Sequence, residues 1–237
     1  MNMGKLKGKR VVITGVSRGV GFQIAMRFLA EGAQVLGVAR NAANLARAAR
    51  ELRAYGKVCG FVRADVGTPA AGRKVAAAAK RRWGAVDLLI NNAAVSPGGK
   101  PFAHEGEHEL DETLRINVVG PHRMTRALLP LLLKGRRPRV VNVSSGAGSE
   151  WSITHGAGMA SYRLSKYALN GLTKLYALQL KGKVSVVAMD PGWVKTDMGG
   201  PDAPDSPRLS AERALVIALL PFKVTGTYQV GAKVSGW

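Results

Sequence analysis

The sequence predicts an α/β fold: one doubly wound domain on a parallel sheet of about seven strands. Three observations carry that prediction. Short apolar, β-rich runs alternate with amphipathic helical stretches, the signature of βαβ units whose sheet is covered on both faces. A glycine-rich turn joins the first such run to the first helical stretch. The 237 residues, 46% of them hydrophobic, suffice for one core that buries roughly 70–75% of the unfolded surface.

Taken in order, the first strand spans Arg10 to Thr14. The helical pattern Gly19 to Glu31 then sets Ile24, Phe28 and Leu29 on one face and closes at Gly32, where a left-handed cap suits glycine. A second strand, Gln34 to Ala39, leads to a helix over Asn41 to Ala54 with Ala42, Leu45, Ala49 and Leu52 inward. The third strand, Val58 to Arg63, is followed by an alanine-rich helix over Ala70 to Trp83 that includes Val75. Leu88 to Asn91, Arg139 to Val143, Val184 to Met189 and a late Thr227 to Val230 complete the strands. A helix running from Tyr162 through Leu169, Leu172 and Leu175 separates two of them. With no linker, repeat or low-complexity tract, residues 1–237 read as a single domain. The Pro- and Gly-rich stretch Gly199 to Pro207 reads as a surface loop.

Composition excludes several classes. The lone Cys59 rules out an intramolecular disulfide or a multi-cysteine metal site; it fits a reducing compartment, and equally a disulfide-free secreted protein. After the basic start, Val11-Val12-Ile13 is too short for a signal peptide, and no window approaches the ~18 apolar residues of a membrane span. A soluble, cytoplasmic protein with no membrane partner is expected. His104, His108, His122 and His155 lack metal-ligand spacing, so no metal is assigned.

The formal charge is +20, from 35 Lys+Arg against 15 Asp+Glu. It is uneven: residues 1–104 hold 18 basic and 4 acidic residues, whereas Glu105 to Glu112 holds five acids in eight positions. Clusters such as Lys5 to Arg10, Lys80-Arg81-Arg82 and Lys134 to Arg139 could bind nucleic acid. Without interleaved aromatic residues, solvated loops and helix ends are the better reading.

The turn Thr14-Gly15-Val16-Ser17-Arg18-Gly19-Val20-Gly21 has mechanical meaning because it lies between a strand and a helix. Gly15 permits the tight turn, Gly19 lets backbone approach a pyrophosphate, and Gly21 lets helix and strand pack closely. The free N–H groups and positive end of the helix face the phosphates. The second strand ends in Arg40 with no acid, so Arg40, helped by Arg18, suits a 2′-phosphate and favours NADP(H) over NAD(H). A solvated strand-end arginine is the alternative.

Tyr162 and Lys166 stand four apart on one helix face. A free phenol has a pKa near 10, so a nearby cation and a cationic nicotinamide ring would be needed for proton exchange near neutrality. Ser144-Ser145 follows the fifth strand at the carboxyl edge, where doubly wound sheets place ligands.

With these residues in order, the chain resembles the short-chain dehydrogenase/reductase family, and its carbonyl-reductase-like branch through Asp190-Pro191-Gly192-Trp193-Val194-Lys195-Thr196-Asp197-Met198. The glycine turn, Asp65-Val66, Asn91-Asn92-Ala93, Asn117, Ser145, Tyr162, Lys166 and Pro191-Gly192 follow family order from Thr14 to about Gly199. The resemblance implies a single-domain Rossmann fold and an NADP(H)-dependent oxidoreductase reducing a ketone or aldehyde reversibly. Tyr162 would be general acid and base, and Lys166 would lower its pKa and hold the nicotinamide ribose. Ser145 would hydrogen-bond the substrate oxygen, with Ser144 a structural neighbour, and Asn117 would anchor a water in a relay to Lys166.

The cofactor would also meet Gly15, Ser17, Arg18, Gly19, Val20, Gly21 and Arg40 at the phosphates. Asp65, Val66, Asn92, Ala93 and Ala94 would lie along the adenosine, and Pro191, Gly192, Val194 and Thr196 at the nicotinamide end. Simpler roles stay open: Asn117 as a helix-interior hydrogen-bonder, Asp65 and Pro191-Gly192 as turn formers. The family usually has glycine where this chain has Ala94. The 17 positions from Ser145 to Tyr162 exceed the common spacing, so substrate loops are expected at about 146–161, which includes Trp151, His155 and Met159, and at 193–210, with Gly199 to Leu209 a mobile lid. The family is commonly dimeric or tetrameric and its carbonyl-reductase branch includes monomers, so a homodimer or homotetramer is possible and the oligomeric state stays open. The rival reading is a non-catalytic nucleotide-sensing or nucleic-acid-binding protein on the same fold.

Overall fold

A computed structural model describes residues 4–55, 59–100 and 102–237. Val58, where the sequence opens its third strand, and the first three residues of the basic start lie outside the described residues. One eight-stranded sheet runs β3-β2-β1-β4-β5-β6-β7-β8. Its strands are β1 (Arg10–Thr14), β2 (Gln34–Ala39), β3 (Cys59–Arg63), β4 (Leu88–Asn91), β5 (Arg139–Val143), β6 (Ser185–Met189), β7 (Tyr228–Val230) and β8 (Lys233–Ser235). The first seven are parallel; β8 folds back antiparallel on β7, pairing Val230 with Lys233. The sequence offers no sign of β8, since three half-exposed residues have no apolar run to mark them.

The helices are α1 (Gly19–Ala30), α2 (Ala42–Leu52), α3 (Pro69–Trp83), α4 (Glu107–Leu114), α5 (Gly120–Leu132), α6 (Glu150–His155), α7 (Ala160–Gln179) and α8 (Pro207–Leu219). They form two layers. On one face Ile24 and Phe28 of α1, Leu45 of α2 and Ala214 and Leu215 of α8 pack on Val11, Ile13 and Val35. On the other, Val75 and Ala79 of α3, Met124 and Leu128 of α5 and Ala177 of α7 pack on Val12, Leu36 and Val140. Alternate residues of a strand thus serve opposite layers, and burial on both faces explains why these strands read as unbroken apolar runs.

Two loop expectations need correction. Residues 146–161 are not open loop: Gly146–Gly148 forms a 3-10 turn and Ser149, accepting from the Ser152 N–H at 3.2 Å, caps α6. The stretch Gly199 to Leu209 is divided, because α8 begins at Pro207. Ser206 caps it by accepting the Leu209 N–H at 3.3 Å, and proline at the first helical position is preorganised for a helix. Proline and serine there start a helix, although by composition they resemble a loop.

Two buried ionic features hold the frame. Asp87, before β4, takes the Arg10 guanidinium at 2.8 and 2.9 Å. It also accepts the backbone N–H groups of Arg10 at 2.9 Å and Arg136 at 2.6 Å. Arg139, only 4% exposed, donates to Ser185 at 2.9 Å, to the carbonyls of Leu220 and Pro221 at 3.0 and 2.8 Å, and to that of Ile217. A cation thereby binds the carboxyl end of α8, where the helix dipole and unpaired carbonyls favour it.

Candidate active site

The sheet order reverses beside β1, with β2 on one side and β4 on the other, and doubly wound sheets place ligands at the carboxyl ends of the strands at such a point. A cleft of about 460 Å³ opens there. At its centre the Thr14 hydroxyl accepts the N–H groups of Asn92 and Ala93, each at 3.0 Å, and the Asn92 amide donates to Thr14 O at 2.8 Å and Gly15 O at 3.3 Å. These bonds lock the glycine turn to the end of β4. Thr14 belongs to the turn motif, but its part in fixing β4 follows only from the sheet order.

The glycines are required by space. Gly15 has φ +75°, and a Cβ on it would lie 2.7 Å from Asn92 Nδ2; one on Gly21 would lie 2.4 Å from Gly15 O. Arg18, the N-cap of α1, makes no side-chain cap, and the first turn holds no acid. The amino end of α1 thus presents backbone donors and positive potential without a built-in anion.

Ser17, Arg18, Gly19, Val20 and Arg40 line this end of the cleft, and Asp65, Val66, Asn92, Ala93 and Ala94 line its flank. Arg40 is exposed and 3.8 Å from Glu112; Arg18 reaches Asp197 at 2.5 Å. Asp197 was missed among the site residues, although it lies in the stretch that carries the branch resemblance. Asp65 accepts the Gly67 N–H at 2.9 Å and lies 3.7 Å from Arg115, so it does form the turn considered as its simpler role.

At the other end Tyr162, Lys166, Pro191 and Thr196 line the cleft. Gly192 and Val194 stand outside the lining. Gly192 donates to Asp190 at 2.8 Å, and Val194 bridges to Asp205; both shape the backbone of the wall. Lys166 Nζ lies 5.5 Å from the centre of the Tyr162 ring and donates to Val143 O at 2.8 Å. Burial pulls its ammonium down to about 8. The Tyr162 phenol is pushed up to about 12, chiefly by burial, with the Ser145 hydrogen bond pulling it down and Asp190 pushing it up. Lys166 is not among the groups that move the phenol, so the lowering expected from it is not seen here.

The two serines differ. Ser144 donates to Asn170 Oδ1 at 2.7 Å, whereas the Ser145 hydroxyl bonds the Tyr162 phenol and accepts the Ala147 N–H at 3.2 Å. Ser144, not Ser145, touches the cleft lining. Asn117 is fully buried in a π-helical turn, Arg115–Val119, between α4 and α5. Its amide exchanges two 2.9 Å bonds with the Val95 backbone and donates to Ser165 at 3.0 Å. Ser165 donates to Tyr162 O at 2.7 Å. Asn117 therefore ties the strand after β4 to the tyrosine helix, and its side chain is not aimed at Lys166. Asp190, receiving the Tyr228 hydroxyl at 2.8 Å, was not singled out; Tyr228 lies in a late strand without a motif. Among the described residues no group of His, Cys, Asp and Glu is arranged to hold a metal, and no helix is long and apolar enough to cross a membrane.

A nucleotide-sized cleft at the reversal of a parallel sheet, with a half-buried tyrosine, a serine hydrogen-bonded to it and a buried lysine at one end, defines an α/β oxidoreductase domain. The chain belongs to the short-chain dehydrogenase family, whose model matches residues 9–206. The oxidoreductase UcpA of Salmonella typhimurium shares 34% identity over 226 residues, 92% of this chain and 84% of that protein. C-signal of Myxococcus xanthus shares 44% over 130 residues, 53% of this chain and 78% of that protein. The NADPH-bound carbonyl reductase from chicken fatty liver superposes with a TM-score of 0.89 at 28% identity, covering 98% of this chain and all of that one.

Proposed function

We propose that the chain is an NADP(H)-dependent oxidoreductase that reduces a ketone or aldehyde to an alcohol, reversibly, with Tyr162 as general acid and base. The observation that carries this reading is the gathering of Tyr162 and Lys166, with Ser145 hydrogen-bonded to the tyrosine, at one end of a cleft whose other end combines an uncapped helix terminus with Arg18 and Arg40. The residues fit the dinucleotide: the glycine cradle would be filled by any Cβ, and no acid at the end of β2 repels a 2′-phosphate. The carbonyl reductase from chicken, which binds NADPH, supports the choice of cofactor.

The dinucleotide supplies a hydride to the carbonyl carbon. The backbone donors of the turn hold the phosphates, with Arg40 on the 2′-phosphate and Arg18 exchanging Asp197 for an anion. Tyr162, protonated at neutral pH, donates its proton to the carbonyl oxygen, while Ser145 bonds the same oxygen and aligns the phenol. Lys166, close to the ring, stabilises the phenolate that remains and returns a proton to it. In the oxidative direction the phenolate takes the alcohol proton.

The test is an NADPH-oxidation screen across ketones, aldehydes and quinones. Tyr162→Phe should lower turnover about 10²–10⁴-fold with NADPH binding retained. Arg40→Ala should cut the preference for NADPH over NADH at least about tenfold. A Tyr162→Phe protein with native turnover, or an unchanged cofactor ratio in Arg40→Ala, overturns the corresponding part. The Myxococcus relative, by its name C-signal, favours a second reading, a signalling protein that binds the dinucleotide without turnover. Tight NADPH binding with no activity across the whole screen would select it.

A further inference from the structure

A second concavity, of about 470 Å³, lies at the β3 edge of the sheet, outside the cleft. Of its lining residues, Leu36 on β2, Val62 on β3 and Ala78 on α3 belong to the α3 side of the sheet, whereas Phe61 packs into the opposite layer. Its rim is cationic. Lys74, Arg81 and Arg82 project from α3, whereas Arg63, two residues on from Phe61 at the end of β3, starts on the opposite face of the sheet. All four are exposed. Among the described residues none of them forms an ion pair.

The backbone adds donors. Ala64 donates its N–H to Ala39 O at 3.0 Å, so strand alternation turns the N–H groups of Phe61 and Arg63 away from β2, toward the open edge. Gly60 keeps the groove open, since a Cβ there would lie 3.2 Å from both Arg82 Nη1 and Leu36 Cδ1. Three like charges along α3 repel one another and focus a positive potential into the concavity beside them. The groove also adjoins the cleft wall, because Arg63 Nε donates to Arg40 O at 3.4 Å.

We propose that this groove is a second anion site, built for a small molecule carrying two or more phosphate groups. The guanidinium forks of Arg81 and Arg82 match phosphate oxygens in a way that point charges do not. The volume falls within the ~300–1,000 Å³ of small-molecule pockets. A single-stranded nucleic acid needs several rings to stack on, and Phe61 is the one aromatic residue in this lining. The site is independent of the catalytic reading and stands whether or not the cleft turns over a carbonyl.

The experiment is calorimetric titration of the full chain with inorganic pyrophosphate at about 0.15 M salt, where the screening length is about 8 Å. Arg81→Glu/Arg82→Glu should weaken pyrophosphate binding about tenfold or more. Arg81→Gln/Arg82→Gln should weaken it less, and Arg40→Ala should leave it within about twofold. Lys181→Glu/Lys183→Glu is the charge control. It alters residues beside β6, five strands and about 24 Å along the sheet, and should change nothing. Displacement of the pyrophosphate by NADPH, or binding unchanged in Arg81→Glu/Arg82→Glu, assigns the ion elsewhere and overturns the proposal. Equal weakening in the Lys181/Lys183 control assigns it to bulk charge and does the same. Tighter binding of hexaglutamate than of pyrophosphate, through the same rim, replaces the ligand class with an acidic peptide.

Discussion

Tyr162 and Lys166 are legible in the sequence because four residues on a helix is one turn, and the apolar positions that follow fix the helix phase. What the sequence withholds is the environment. Burial pushes the Tyr162 phenol up to about 12, and spacing carries no information about desolvation. Ser144 and Ser145 are adjacent and chemically identical; only the partners of their hydroxyls, Asn170 for one and Tyr162 for the other, tell them apart. Asp190 is the residue whose consequence is most readily measured. Its carboxylate, held by Tyr228 and the Gly192 N–H, disfavours the Tyr162 phenolate. Asp190→Asn should therefore let the phenol ionise at lower pH and shift the alkaline-rising limb of alcohol oxidation down by about half a pH unit. A pH profile of kcat with wild type and variant side by side checks this, and an unmoved limb removes Asp190 from the proton's surroundings.

Elements buried on both faces were the easiest to read. The five strands β1, β2, β4, β5 and β6 are continuous apolar runs, and their limits fall within a residue of those the pattern gives. Helix α8 was hidden by its own start, Ser206-Pro207, and β8 by its brevity. The π-turn around Asn117 has no sequence signature, because its apolar neighbours fit an ordinary helix equally well. Arg139 is a further case: a basic residue opening a strand reads as solvated, yet it is buried against the end of α8. Burial pulls its guanidinium down to about 10, so it stays charged at neutral pH. Arg139→Met should cost about 1–3 kcal/mol by leaving the Leu220 carbonyl without a donor, measured as a lower urea midpoint at unchanged slope. A midpoint within error of wild type would show that this carbonyl finds another donor.

Across the whole molecule, the +20 charge is distributed over surfaces with different consequences. Some cations face the cleft, some rim the β3 groove, and Arg10 is tied to Asp87 at 2.8 Å. For Asp87, burial alone would raise the carboxyl. The Arg10 guanidinium and the N–H groups of Arg10 and Arg136 outweigh it and hold the group below the usual carboxylate range. A depressed carboxylate contributes stability that is fully present above its unfolded value and lost as pH falls through the folded one. Wild type should thus lose stability through this group only as pH falls below the usual carboxylate range, and Asp87→Asn should lack that part of the acid loss. Melting scans from pH 3 to 7 test it, and parallel curves for the two proteins would count against the assignment.

The strand order also sets a schedule for synthesis. β1 pairs with β2 promptly, but its other edge waits for β4, with Val11 opposite Leu88 across 77 residues of chain. At about 5–20 residues per second, a ribosome leaves that edge bare for about 4–15 s. During that interval the nascent chain presents Val11, Val12 and Ile13 to whatever strand arrives first, so a chaperone that binds short extended apolar segments has its natural target in the central strand β1.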